Sequence, residues 1–194
     1  MKALIKTTLL ASMLVAVSTI SYAADYVIDD PSAGAHSQID VKVKHIGVSW
    51  VKGRFNTFSG TFSYDKNKPN DSKINVTLDA QSFDSNHAKR DKHIMSPDFL
   101  DAGKYPTATF ASNNIKDIGN GKVNVTGDLN LHGVTKSITF DAVLIGEGDS
   151  PWGDYRAGFE GSVDLKFADF EIDTVKYGVN EFTMNMFFEG KTAK

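Results

Sequence analysis

Hydrophobic and polar residues alternate strictly near the start of the chain. One side of this alternation carries Ile39, Val41, Val43 and His45. A period of two residues is typical of a β-strand with one buried face and one solvated face. The buried side ends in a histidine close to Trp50, so the stretch predicts the wall and the mouth of a pocket.

The same alternation recurs along the chain between segments rich in turn residues. It predicts further strands over residues 26–28, 55–64, 74–78, 107–112, 123–131, 138–144, 157–165 and 182–188. Gly, Pro, Asn and Asp between these segments mark turns, and residues 146–153 form a polar loop. Eight or nine antiparallel strands indicate a barrel or a sandwich.

The periodicity changes between residues 84 and 100, where no β-branched alternation is found. Asp84 or Ser85 can cap a helix, which predicts a helix from about residue 85 to residue 95 and a stop at Pro97. This segment is the one helical insertion, about residues 85–100, in an otherwise all-β chain.

Small residues inside several strands favour a closed barrel over a sandwich. Gly60, Gly127 and Gly161 stand in phase with large apolar residues. A glycine inside a strand relieves bending and leaves room in the interior. Because an eight-stranded antiparallel barrel can hold one elongated apolar ligand, we predict a lumen that can shelter a lipid tail.

The first 23 residues carry the features of a secretory signal peptide. Lys2 and Lys6 come before an apolar run over residues 7–20, and Ala23 ends a cleavage motif of small residues. The run is shorter than the roughly 20 residues of a bilayer span, which argues against a membrane anchor. We expect cleavage after residue 23 and one exported domain over residues 24–194, with no integral membrane segment.

Charge and cysteine content narrow the functional classes. The formal net charge is −3, and loss of Lys2 and Lys6 would make the chain more acidic. This balance argues against nucleic acid as a partner and against electrostatic docking on an anionic membrane. The chain has no cysteine, so its hydrophobic core must hold the fold without disulfides, and thiol chemistry is excluded.

Candidate polar groups gather near the predicted mouth. By its phase His45 is interior, where it can contact a ligand, act as a base or bond to the backbone as a core histidine. On the predicted helix, Asn86, Arg90 and His93 share one face, which can grip a phosphate or carbonyl or simply face solvent. No metal-ligand set and no nucleophile motif is found in the sequence, so we expect no metal and no cofactor.

Six motifs are spread over residues 45–160. They are HIGVSW at 45–50, GRFNTFSGTF at 53–62, NHAKRDKH at 86–93, FLDAGKYPTATF at 99–110, GDLNLHGVTK at 127–136 and PWGDYRAGFE at 151–160. In order and spacing these motifs closely resemble the YceI family of bacterial periplasmic proteins. The resemblance extends over essentially the whole domain.

The resemblance implies an elongated, eight-stranded, lipocalin-like antiparallel barrel with a helical insertion near its mouth. It implies binding of a polyisoprenoid or a similar long-chain amphiphile, such as a prenyl quinone or prenyl phosphate. It also implies a homodimer in the periplasm of a Gram-negative bacterium. No enzymatic activity follows from the family in general.

Strand phase and the resemblance together assign the expected ligand contacts. The apolar tail is expected against Ile39, Val41, Val43, Phe58, Phe62, Phe110, Leu129, Phe140 and Phe159. The polar head is expected near His45, Trp50, Asn86, Arg90 and His93. Two other functions compete with this one: a lipid-modifying enzyme with His45 or His93 as acid–base, and a stress-related structural protein with a filled barrel.

Overall fold

The computed structural model describes residues 24–28 and 36–192, most of which lie in β-strands. The strands are β1 (Ala24–Ile28), β2 (Gln38–His45), β3 (Ser49–Phe55), β4 (Phe58–Tyr64), β5 (Lys73–Asp79), β6 (Phe83–Asp84), β7 (Thr107–Gly119), β8 (Lys122–Leu131), β9 (Val134–Asp149), β10 (Tyr155–Lys166) and β11 (Glu181–Thr192). One α-helix, α1, spans Ala88–Ile94. The predicted signal peptide, residues 1–23, lies outside the described residues.

Eight antiparallel strands form a closed barrel. They are hydrogen-bonded in the order β1-β4-β5-β7-β8-β9-β10-β11, and β11 pairs with β1 to close the ring. Tyr26 of β1 lies at the junction, opposite Thr192 of β11 on one side and Phe62 of β4 on the other. The prediction of an all-β, eight-stranded antiparallel barrel with one helical insertion is therefore confirmed.

Strand β11 has two partners on the same edge. Its last residues pair with β1, whereas Phe182–Phe187 pair with β2. The β2–β3 hairpin thus continues the wall at one end of the barrel, and the two-residue strand β6 pairs with β3 beyond it. Helix α1 also lies at this end, which is termed the mouth.

The helix is shorter than predicted and begins later. It starts at Ala88, and the ring Nδ1 of His87 caps it by accepting a hydrogen bond from the backbone N–H of Arg90 at 3.2 Å. Neither Asp84 nor Ser85 is the cap. Asn86 has a φ of 59°, a left-handed conformation that separates Ser85 from the helix. The prediction of a helix from residue 85 was wrong for this reason.

Two loop boundaries also differ from the prediction. Strand β9 continues to Asp149, so the first half of the predicted loop over residues 146–153 is strand. Strand β7 continues past residue 112 to Gly119. A register shift between Ser112 and Asn114 marks a β-bulge, which resets the phase of the strand. The irregularity hides the second half of β7 from a test for strict alternation.

Aromatic rings pack directly onto strand glycines. The ring of Phe110 covers Gly127, where a Cβ atom would lie 2.5 Å from the ring carbon Cζ and 2.5 Å from the backbone oxygen of Ala111. Phe62 covers Gly190 in the same way, and Phe83 covers Gly53. The small residues do leave room inside the barrel, but aromatic side chains take up much of it.

Replacement of Gly127 by alanine is expected to destabilise the barrel. The added methyl group would collide with the Phe110 ring, and overpacking of this kind costs about 1–3 kcal/mol. Gly146→Ala is the matched control, because a Cβ there meets no atom within 4 Å. The control should change the free energy of unfolding by less than about 0.5 kcal/mol. Urea denaturation measures both variants, and equal losses would contradict the packing argument.

Candidate functional site

Three apolar cavities follow one another along the barrel axis. The mouth cavity has a volume of about 270 Å³. A middle cavity of about 50 Å³ and a deep cavity of about 60 Å³ lie below it. Most of the usable space in the lumen is therefore at the mouth.

The mouth cavity is walled by residues from β2, β3, β11, α1 and the loops beside them. Eleven of its apolar lining residues are Val41, Val43, Val51, Phe55, Phe83, Ile94, Phe99, Leu100, Leu131, Phe167 and Phe182. Four polar side chains join them: His45, Arg90, His93 and Tyr177. A mostly apolar cavity with a few polar groups at one end is the usual form of a small-molecule site.

His45 stands where the alternation of β2 predicts, on the cavity side of the strand. Ile39 lines the middle cavity, whereas Val41, Val43 and His45 line the mouth cavity. Since β2 is regular, the phase read from the sequence holds over its whole length. His45 is solvent-exposed, so it is a rim residue and not a core histidine.

Arg90 is held by the segment that comes before the helix. Its Nε–H donates to the hydroxyl of Ser85 at 2.7 Å, and Nη2 donates to the backbone oxygen of Ser85 at 2.7 Å. The backbone N–H of Ser85 donates in turn to Asp91 at 2.9 Å. The guanidinium thus fixes α1 against β6 while it lines the mouth cavity.

A polar cluster joins the helix segment to the opposite rim. The Tyr177 hydroxyl donates to Asp98 at 2.6 Å, and Lys176 donates to the other carboxylate oxygen at 2.9 Å. His93 Nε2 lies 3.1 Å from Asp98 and 3.2 Å from the Tyr177 hydroxyl. Phe99 stacks on Tyr177 with ring centroids 4.9 Å apart. These contacts hold the two sides of the mouth together.

The cluster favours the ionised form of Asp98. Hydrogen bonds from Tyr177, Lys176 and His93 lower the pKa of this carboxyl well below its ordinary value of 3.8. Asp98 is therefore a permanent acceptor at neutral pH. It orients both the Tyr177 hydroxyl and the His93 ring beside the cavity.

Three residues expected at the ligand lie elsewhere. Asn86 is not on the helix and lines an outer groove between β2, β3 and β6, so the face shared with Arg90 and His93 does not exist. Trp50 lies on the outer face of the hairpin, with its ring 4.9 Å from the Lys42 ammonium. Phe58 is buried against Phe188, with ring centroids 5.9 Å apart, and is not among the residues that line the three cavities.

The other expected residues are distributed over all three cavities. Val41, Val43, His45, Arg90 and His93 line the mouth cavity; Ile39, Phe110, Leu129 and Phe140 line the middle one; Phe62, Phe140 and Phe159 line the deep one. The structure thus assembles most of the predicted lining, but in compartments instead of one open tube.

Narrow points separate the compartments. Phe55, Leu131 and Met184 border both the mouth and the middle cavity. Met186 and Phe188 border both the middle and the deep cavity. An unbranched methionine can change rotamer at little cost, so Met184 and Met186 are the adjustable parts of the lumen.

Tyr177 is the main functional candidate that the sequence did not reveal. It lies in residues 167–180, where two 3-10 turns replace strand alternation. The only local signal is an aromatic residue directly before Gly178, which adopts the left-handed conformation with φ 65°. Without a strand or helix period, the sequence does not tell which way the ring points.

Comparisons with known proteins agree with the fold and the motifs. The family model described as the YceI-like domain matches residues 26–189. A UPF0312 protein of Vibrio parahaemolyticus is 61% identical over 150 residues, which cover 77% of this chain and 78% of the relative.

Solved structures show the same barrel. The crystal structure of BcnA from Burkholderia cenocepacia has a TM-score of 0.73 at 25% identity, over 84% of this chain and 98% of that one. A polyisoprenoid binding domain from Saccharophagus degradans has a TM-score of 0.62 at 14% identity, over 89% of this chain and 100% of that one, a likeness in fold alone. On the strength of the family match and the shared barrel, the chain belongs to the YceI family.

Proposed function

We propose that this protein binds a long-chain isoprenoid lipid, with its polar end at the mouth and its chain in the lumen. The observation that carries the proposal is the position of the mouth cavity. It is the largest of the three apolar compartments, four polar side chains line it, and two smaller apolar compartments continue from it along the axis.

The chemistry of the rim fits an amphiphile with an oxygen-bearing head. Arg90 and His93 can offer N–H donors to a phosphate or a carbonyl, and His45 lies on the neighbouring strand. Burial of the chain supplies roughly 25 cal/mol for each Å² of apolar surface, so the rim has only to orient the head. The name of the Saccharophagus degradans neighbour supports the choice of isoprenoid as the ligand class.

Binding is a better account of the rim than catalysis. His93 shares its Nε2 atom between Asp98 and Tyr177, and Arg90 is engaged by Ser85. Groups held in this way can recognise a head group, and His93 is a poor candidate for a general base because its Nε2 atom is already engaged. We propose a carrier or storage protein of the periplasm, in keeping with the expected signal peptide.

The direct test is to isolate the protein gently from its bacterial host and examine it by native mass spectrometry and lipid extraction. We expect a bound lipid with an isoprenoid chain. Protein without its residues 1–23, made in the cytoplasm and then offered prenyl lipids in vitro, provides the reference. Only apoprotein from the host, together with no uptake in vitro, would contradict the function and favour a filled structural barrel.

Met184 is expected to control how deep a chain can enter. Phenylalanine at this position would be larger and stiffer, and would block the passage to the middle cavity. Met184→Phe should weaken geranylgeraniol binding about tenfold, the equivalent of roughly two methylene groups withdrawn from an apolar site. The shorter geraniol should bind as before.

Met184→Leu is the matched control, because leucine nearly preserves volume. Fluorescence competition or calorimetry can compare the two alcohols on all three proteins. An equal loss for both alcohols in Met184→Phe would show that the residue does not separate the cavities.

The Asp98 cluster predicts that the stability of the folded protein decreases at acidic pH. Because the folded protein lowers the pKa of Asp98, the carboxylate stabilises the fold at all pH values above its ordinary value of 3.8. This stabilisation is lost as the pH falls from 3.8 through the lower pKa that Asp98 has in the folded protein. Asp98→Asn should therefore be less stable than the parent at neutral pH, and the difference should shrink at pH values below about 4.

Urea unfolding at several pH values measures this effect. Asp128→Asn is a suitable control, because Asp128 is exposed on the outer side of β8. A stability difference for Asp98→Asn that does not change on acidification would contradict the assignment.

A further inference from the structure

The tip of the β2–β3 hairpin exposes apolar side chains beside the mouth. Ile46 is 61% exposed, Val48 81% and Trp50 54%. Val175, 78% exposed, belongs to the adjoining 3-10 turn, whose Gly178 lies next to Ile46. A cluster of large apolar residues that is open to water contributes nothing to the core, and such clusters mark interaction surfaces.

The backbone at the tip adopts a conformation that is unfavourable for one of these residues. Ile46 has a φ of 44°, in the left-handed region that β-branched residues rarely adopt. Asparagine or glycine would fit this position with less strain. An exposed isoleucine in a strained conformation favours neither stability nor solubility, so neither accounts for its presence at the tip.

Lysines surround the tip on the outer face of the hairpin. Lys42 and Lys52 are direct cross-strand partners, and Lys44 is paired with Trp50. Like charges directly opposite one another destabilise a sheet. Within residues 24–28 and 36–192, none of these three lysines forms an ion pair. An anionic surface would relieve their repulsion.

Charge separates this tip from the other end of the barrel. Ile145 and Trp152 are also exposed there, at 65% and 68%. The charges around them are paired, because Arg156 lies over the Trp152 ring and binds Asp154, and Lys66 binds Glu147. Exposed apolar residues thus occur at both ends, but the basic residue beside Trp152 is ion-paired, whereas Lys42, Lys44 and Lys52 of the tip form no ion pair among the described residues.

We propose that the β2–β3 tip docks on the surface of an anionic lipid bilayer. Ile46 and Val48 enter the outer acyl region, Trp50 lies at the headgroup level, and the lysines contact lipid phosphates. The net acidity of the whole chain disfavours such docking, but the charges are unevenly distributed. Because His45 ends the same strand, docking turns the mouth cavity toward the membrane from which a lipid would come.

Flotation with vesicles tests the proposal. We expect the protein to bind vesicles of phosphatidylethanolamine and phosphatidylglycerol, to release them at high salt, and to ignore vesicles of phosphatidylcholine alone. Lys42→Gln and Lys52→Gln should each weaken binding about fivefold. The double variant Ile46→Asn, Val48→Ser should abolish binding while its thermal stability stays equal or rises, because asparagine fits the left-handed position.

Ile145→Ser is the matched control at the other end and should bind as the parent does. The two tryptophans supply an independent reading. In Trp152→Phe, the remaining Trp50 should shift its fluorescence to the blue on anionic vesicles. In Trp50→Phe, the remaining Trp152 should not shift.

Several outcomes would overturn the proposal. They are no vesicle binding by the parent, equal binding to neutral vesicles, unchanged binding of the tip variant, or loss of binding in Ile145→Ser. A tip variant that converts a dimer into a monomer without a change in vesicle binding would assign the surface to a second copy. Docking goes beyond the proposed lipid binding and is measured without a cavity ligand, so either can fail while the other stands.

Discussion

Closure of the sheet through β11 is the constraint on which this structure depends. The chain has no cysteine, so nothing covalent holds the barrel. Every strand of the ring must instead find two hydrogen-bonded neighbours, and the ring is completed only where β11 meets β1. The short β1 closes one end, and β2 takes over the same edge of β11 at the other. The mouth and its cavity exist because of this change of partner.

The lumen reflects a balance between packing and binding. Phenylalanine rings on Gly127, Gly190 and Gly53 fill the interior at these three points. Each of these rings makes dispersion contacts that an empty tube would lack along its wall. Space remains chiefly at the mouth, and flexible methionines stand where the space narrows. The protein thus keeps a stable core and a site that can adapt.

Regular strands were predictable from the sequence, and irregular segments were not. In β2, β8 and β10 period two persists and one face is directed to the interior, so inward residues such as Val41 and Leu129 could be identified directly. The outward direction of Trp50 could not be predicted, because it follows from the length of the turn between His45 and Ser49. Asn86 and Tyr177 depend on left-handed residues and 3-10 turns, for which the sequence has no periodic signal.

The attachment of the hairpin has a structural consequence. The β2–β3 hairpin is joined to the barrel along its β11 edge, while its other edge meets only the two-residue strand β6. The bonds between β1 and β11 close the ring without the hairpin, whose buried Ile39 and Phe55 hold it to the core. Closure of the ring and formation of the mouth thus use different strands: β1 completes the ring, and β2 and β3 extend its wall beyond that point.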